Sequence, residues 1–273
     1  MVVLRTKGIR MGVPYRVAET IVWPTMMATT KREWRGQENL GRHGEGKVLA
    51  VNHISAFDPL VIVHFVHDSG RPPRILAKQS LWDVPVLGPL LTSTGQIPVS
   101  RETDPSASLA RAEQAIGRGE AIIVYPEGTI TRDPGLWPMS GRTGALRLAL
   151  ETGAPLIPIA QWGAQEVLAP YAKRLRLLPR KVVQVTAGAP LDVDDLRGRA
   201  ITREVLEVGT NRLMDAITAM LASIRREPAP AHRLDWAAER RRAAGNDPAA
   251  YEDARNDAAG SERNEPAGNE EER

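Results

Sequence analysis

The sequence predicts a single α/β domain: a mixed, mostly parallel sheet flanked by helices. Three observations predict it. Short continuous apolar runs, such as residues 121–125 (AIIVY) and 155–161 (PLIPIAQ), read as strands buried on both faces. Between such runs lie segments with helical periodicity and helical stop signals, so strands and helices alternate along the chain. Finally, 273 residues, 42% of them apolar, are enough for one large core and too few for two generous ones.

In chain order, residues 14–30 (PYRVAETIVWPTMMATT) come first, with apolar residues at helical spacing around Trp23. Pro24, Arg16 and Glu19 keep this stretch short of the roughly 20 apolar residues of a membrane span. Its flanks are basic: Arg5, Lys7 and Arg10 before it, Lys31, Arg32 and Arg35 after. That pattern suits an amphipathic helix lying in a membrane interface, and it also suits a helix packed on the domain. The start MVVLRTKGIRMG lacks the apolar core and cleavage site of a secretion signal.

The domain itself begins with a buried strand at residues 47–52. A helix follows at 58–67, with Asp58 just before it and Pro59 in its first turn. Residues 74–77 and 95–99 read as short strands, and 106–117 as a surface helix that stops at Gly117. After the strand at 121–125 comes a helix at 142–152, ended by Gly153. Strands at 155–161 and 182–187 and a long helix at 203–224 complete the pattern. Beyond residue 226 few apolar and many charged residues remain, too few to repay the entropy of ordering, so 227–273 reads as a charged, largely disordered tail. The organisation expected is therefore 1–36, an N-terminal amphipathic membrane-associating segment; 37–226, the folded domain; and 227–273, the tail.

Charge and composition narrow the function. The tail carries 7 basic and 12 acidic residues, so the 36 basic and 33 acidic residues of the whole chain leave 29 against 21 in residues 1–226, a net of +8. A basic body calls for an anionic partner such as nucleic acid, a phosphorylated small molecule or an anionic membrane. With 4% aromatics and no aromatic–basic interleaving, nucleic acid has little support. The absence of cysteine excludes disulfides, thiolate metal ligands and a cysteine nucleophile.

The chemistry-bearing stretch is Asn52-His53-Ile54-Ser55-Ala56-Phe57-Asp58. His53 leaves the end of a strand, and Asp58 stands five residues later at a helix start. A turn of that length lets the carboxylate reach one imidazole nitrogen, fixing the tautomer and making the other nitrogen a general base. Taken alone, Asp58 could equally cap the helix through the backbone of Leu60 and Val61.

Three further blocks follow: Gly95-Gln96-Ile97-Pro98-Val99-Ser100-Arg101, Tyr125-Pro126-Glu127-Gly128-Thr129 and Leu156-Ile157-Pro158-Ile159. In this order and spacing, the four blocks resemble the glycerolipid acyltransferase family, and most closely its 1-acylglycerol-3-phosphate (lysophosphatidic acid) acyltransferases, over about residues 47–163. The Ala/Arg-rich composition fits a high-GC bacterium, and actinobacterial members look similar. The resemblance implies an enzyme that transfers an acyl group directly from acyl-CoA or acyl-carrier protein to the sn-2 hydroxyl of 1-acyl-sn-glycerol 3-phosphate, giving phosphatidic acid for phospholipid synthesis. Direct transfer agrees with the residues themselves, which offer neither a cysteine nor a Gly-x-Ser-x-Gly elbow.

On this reading His53 and Asp58 are catalytic, and no cofactor and no metal are expected beyond the acyl donor. The resemblance also carries over Lys78, Arg101, Glu127, Gly128 and Thr129 as substrate-binding. Where the family usually has arginine in Glu-Gly-Thr-Arg-Ser, this chain has Ile130, and Arg132 is the candidate substitute. The expected partners are lysophosphatidic acid, the acyl donor and an anionic membrane surface, with a peripheral or monotopic location on the cytoplasmic face of the cell membrane. Residues 81–91 (LWDVPVLGPLL), Trp137, Met139 and Trp162 read either as an acyl-chain path or as ordinary core.

Three alternatives stay open at this level. Glycerol 3-phosphate or another lysophospholipid or glycolipid could be the acceptor. A metal hydrolase would use His53, His64 and His67, and a non-catalytic lipid binder would use the basic N-terminal segment alone.

Overall fold

The computed structural model describes Thr20, residues 24–99 and residues 105–246. Most of the predicted amphipathic segment, Ser100 and Arg101, and residues 247–273 lie outside the described residues. Seven strands form one sheet: β1 (Thr30–Arg35), β2 (Lys47–Val51), β3 (Pro73–Lys78), β4 (Ile97–Val99), β5 (Ala121–Val124), β6 (Leu156–Trp162) and β7 (Lys181–Ala187), in the order β1-β7-β6-β2-β5-β3-β4. Every pairing is parallel except the antiparallel β6–β7 pair. The described helices are α1 (Asp58–Asp68), α2 (Leu87–Ser93), α3 (Pro105–Gly117), α4 (Gly144–Thr152), α5 (Ala164–Val167), α6 (Arg203–Arg225) and α7 (Trp236–Asn246).

The two-residue period of a strand builds two cores from one sequence. Along β2, Val48 and Ala50 join Leu146, Leu148, Leu213 and Ile217 beneath α4 and α6. Leu49 and Val51 face the other way and pack with Val61, Ile62 and Phe65 of α1. All of β2 is therefore buried, which is why it is written as an unbroken apolar run.

Helix α6 starts at an N-cap, where the Thr202 hydroxyl accepts from Val205 N, and it buries one face. Gly209 lets that face close on α4, since a Cβ there would stand 2.4 Å from Leu146 Cδ2.

Three expectations are corrected. Residues 31–35, read as the cationic flank of a membrane segment, belong to β1, an edge strand paired in parallel with β7 from Thr30↔Lys181 to Arg35↔Thr186. Arg32 donates to Asp68 Oδ2 (3.0 Å), and the Trp34 indole donates to the same oxygen (3.0 Å). Next, the folded body runs past residue 226 to Arg233. The Arg233 guanidinium holds Asp215 and Asn211 of α6 and ties this stretch down. Finally, residues 236–246 of the predicted tail are helical. Their Ala, Glu and Arg favour helix, and Asp235 Oδ1 accepts from Ala238 N (2.9 Å) at the first turn.

Candidate active site

Parallel pairing brings the carboxyl ends of β2, β3, β4 and β5 to one edge of the sheet, the edge at which open α/β sheets bind ligands. His53 follows β2 there. Its Nδ1 lies 2.7 Å from Asp58 Oδ2, and its side chain keeps 17% exposure while Asp58 has none. The same Asp58 oxygen accepts from Ile54 N (2.6 Å) and Ser55 N (2.9 Å). The Asp58 carboxylate therefore folds the turn onto itself and does not cap α1. Leu60 N and Val61 N turn instead to Phe57 O. Because Asp58 accepts, Nδ1 carries the proton and Nε2 is left with its lone pair. Burial raises the Asp58 carboxyl above its ordinary value, against the downward pull of His53 and the two backbone N–H groups.

Residues distant in sequence hold His53 in place. Just before it, Asn52 replaces a further ladder step between β2 and β6. Asn52 Nδ2 donates to Gln161 O (3.1 Å), Gln161 N to Asn52 Oδ1 (2.8 Å) and Gln161 Nε2 to Asn52 O (3.0 Å). On its face, His53 stacks on the Tyr125 ring, with centroids 4.2 Å apart at 24°. The His53 backbone is held on both sides, its N–H by Glu127 Oε1 (2.8 Å) and its carbonyl by Thr131 N (2.7 Å).

The substrate-binding candidates separate. Glu127 is buried, and its second oxygen accepts from Met139 N (3.0 Å), so both oxygens are taken by backbone donors. It is a strut between the His53 turn and the 137–139 segment. Its burial pushes the carboxyl up to about 8, against the pull of those two N–H groups. Gly128 sits at φ +73° in the turn closed by its N–H on Tyr125 O (3.0 Å), where a side chain would strain the backbone.

Thr129 and Arg132 flank this segment at the site, half-buried. The Arg132 guanidinium lies 4.0 Å over the ring of Tyr171, whose hydroxyl donates to Ile130 O (2.6 Å). Lys78 is exposed at the carboxyl end of β3, in register with Val99 of β4. Arg101, two residues beyond Val99, lies outside the described residues.

Of the apolar candidates, Trp137, Met139 and Trp162 resolve toward packing, while residues 81–91 stay largely exposed or half-buried. Met139 is core, and Arg225 of α6 inserts between the rings of Trp137 (4.0 Å) and Trp162 (4.4 Å). His64 and His67 lie on α1. There His64 Nε2 is 3.1 Å from Arg32 Nη1 and 3.6 Å from Asp68 Oδ1, and its ring packs edge-on against Trp34. Among the described residues no group of three or more His, Cys, Asp or Glu side chains is placed to hold a metal ion.

Sequence reasoning did not single out Tyr125, Asn52, Gln161 or Tyr171. The first three had a signal, since each is a polar side chain ending an apolar strand. Tyr171 had none.

A mixed α/β sheet here presents a His–Asp pair at its carboxyl edge, an arrangement whose geometry is compatible with imidazole base chemistry. Residues 31–162 match the family model Acyltransferase. The chain is 33% identical over 126 residues to a 1-acyl-sn-glycerol-3-phosphate acyltransferase of Borreliella burgdorferi, covering 45% of this chain and 48% of the relative. It is 28% identical over 141 residues to the chloroplastic 1-acyl-sn-glycerol-3-phosphate acyltransferase BAT2 of Brassica napus, covering 50% and 39%. The matches thus span less than half the length of these curated relatives. The solved structure of the 1-acyl-sn-glycerophosphate acyltransferase PlsC of Thermotoga maritima shares the fold, with a TM-score of 0.57 at 18% identity over 83% of this chain and 88% of that one.

Proposed function

We propose that this protein transfers a fatty acyl group from acyl-CoA or acyl-carrier protein to the sn-2 hydroxyl of 1-acyl-sn-glycerol 3-phosphate. The observation that carries it is the His53 Nδ1–Asp58 Oδ2 contact of 2.7 Å at the carboxyl edge of the sheet. His53 Nε2 takes the hydroxyl proton as the oxygen attacks the thioester carbonyl. Asp58 keeps the ring in the right tautomer and offsets the imidazolium charge. As the tetrahedral intermediate collapses, the carbon–sulfur bond breaks and the imidazolium returns the proton to the thiolate. The ester and a free thiol are the products. The donor brings its own leaving group, so this balanced sequence uses no cofactor.

Arg132, Lys78 and Arg101 are the cations offered to the acceptor phosphate, with Thr129 and Gly128 shaping the turn beside them. Both named relatives act, by their names, on 1-acyl-sn-glycerol 3-phosphate, which supports that acceptor. Ile130 in place of the usual arginine favours a second reading, an acceptor with a different head group: glycerol 3-phosphate, another lysophospholipid or a glycolipid.

We place the enzyme at the cytoplasmic face of the cell membrane, held peripherally or monotopically with the segment before β1 contributing. Among the described residues no helix is long and apolar enough to cross a membrane. The deciding assay gives the purified protein labelled acyl-CoA or acyl-carrier protein and a panel of acceptors, with products separated by lipid class. Label in phosphatidic acid alone supports the first acceptor, and label in another product class selects the second reading. No transfer to any acceptor would overturn the function.

A further inference from the structure

We infer that residues 168–180, the loop from α5 to β7, form a docking surface for an anionic lipid bilayer beside the active site. No acidic residue occurs between Glu166 and Asp192, while Lys173, Arg174 and Arg176 stand exposed within that interval. Among the described residues these three cations enter no ion pair. Interleaved with them are large apolar side chains that face water, Leu175 at 50% exposure and Leu178 at 80%. A soluble phosphate ligand would be served by the cations and would leave the leucines uncovered. A bilayer accommodates both, the leucines entering the acyl layer and the cations meeting lipid phosphates.

The loop is held in place, not merely exposed. Arg176 N donates to Val167 O (2.7 Å) and closes its base. Ser55 Oγ, in the turn between His53 and Asp58, donates to Leu168 O (2.6 Å), and the Tyr171 hydroxyl donates to Ile130 O (2.6 Å). The loop therefore borders the catalytic turn on one side and the Thr129–Arg132 segment on the other. At its far end, Arg180 Nη2 donates to Met27 O and Thr30 O (2.8 Å each). Met27, 45% exposed, thus adds an apolar side chain at that end of the surface. An acceptor in such a bilayer would meet the site at its rim.

This inference rests on the lipid acceptor of the proposed function, but its test needs no turnover. Because the chain has no cysteine, a Leu178→Cys variant can carry a single environment-sensitive fluorophore. A Val208→Cys variant, on the exposed face of α6, is the control. With vesicles of phosphatidylcholine and phosphatidylglycerol, emission at position 178 is expected to shift to the blue, and emission at 208 is expected to stay unchanged. The Lys173→Gln/Arg174→Gln double variant is expected to bind these vesicles about tenfold or more weakly, each surface cation contributing several-fold. Emission at 178 that keeps its aqueous value while the protein sediments with vesicles would overturn the inference, as would failure to bind vesicles or equal affinity for phosphatidylcholine alone. A protein inactive on every glycerolipid acceptor would leave the fluorescence result standing, so the two failures are distinguishable.

Discussion

The Arg132 guanidinium lies 4.0 Å over the ring of Tyr171, and the Tyr171 hydroxyl donates to the carbonyl of Ile130, the residue standing where the family has arginine. One tyrosine thus contacts both Ile130 and Arg132, the cation proposed to stand in for the missing arginine. If Arg132 meets the acceptor phosphate, Tyr171→Ala should raise KM for lysophosphatidic acid several-fold with little change in kcat, in line with a partly exposed cation–π contact of about 0.5–2 kcal/mol. Tyr171→Phe should keep most of the effect of the stack. An unchanged KM in Arg132→Ala removes Arg132 from the phosphate site.

His53→Ala and Asp58→Ala are each expected to lower kcat by about 10²–10⁴-fold, the range for a positioned general base. Near-normal turnover by purified, folded His53→Ala protein refutes the mechanism. Circular dichroism on the same samples separates lost chemistry from lost fold.

Tyr125 supports one face of the His53 ring. Replacing it with leucine should lower kcat several-fold at nearly constant acceptor KM, because a stacked ring pair contributes about 0.5–1.5 kcal/mol. Tyr125→Phe retains the ring and should stay near wild type in kcat. If the two variants behave alike in steady-state kinetics, the stack is not what orients His53.

Glu127 titrates near 8 in the folded protein, well above a free glutamate near 4.5. A raised carboxyl pKa contributes stability that is full below 4.5 and is lost as pH rises through about 8. In Glu127→Gln, one of the two N–H donors loses its acceptor, at about 1–3 kcal/mol. Urea unfolding should therefore show the wild type's advantage over Glu127→Gln at its largest near pH 5 and shrinking toward pH 8. An advantage that grows with pH contradicts the assignment.

His64 behaves in the opposite sense. Burial lowers it to about 4, outweighing the upward pull of Asp68. Its contribution is full above about 6.5 and is lost as pH falls through about 4, where the folded state must protonate a buried ring. His64→Gln keeps an acceptor for Arg32 without titrating. Thermal melts should show the wild type losing stability relative to this variant between pH 6.5 and 4.

Much of the fold was legible because its signals are local. The buried run of β2 and the Asp58–Pro59 helix start lie within a few residues of one another, and both β2 and α1 stand within a few residues of where they were expected. β1 was not legible. Its sequence, TKREWR, buries little, and it is a strand because its backbone pairs with β7 about 150 residues away. For the same reason, the structural role of Glu127 was not legible. Its carboxylate oxygens meet the N–H groups of His53 and Met139, which no spacing rule joins to it.

By itself, the sequence determined where the candidate chemistry lies, at His53 and Asp58. A histidine and an aspartate five apart, between a strand end and a helix start, can either meet or leave the aspartate to cap the helix, and the fold selects the contact. Only the tertiary structure decided what surrounds them: Tyr125 on the ring, Asn52 and Gln161 behind it, Glu127 and Thr131 on its backbone, and Tyr171 beneath Arg132. Those contacts join segments that only the parallel sheet brings to one edge, so they depend on how the whole chain packs.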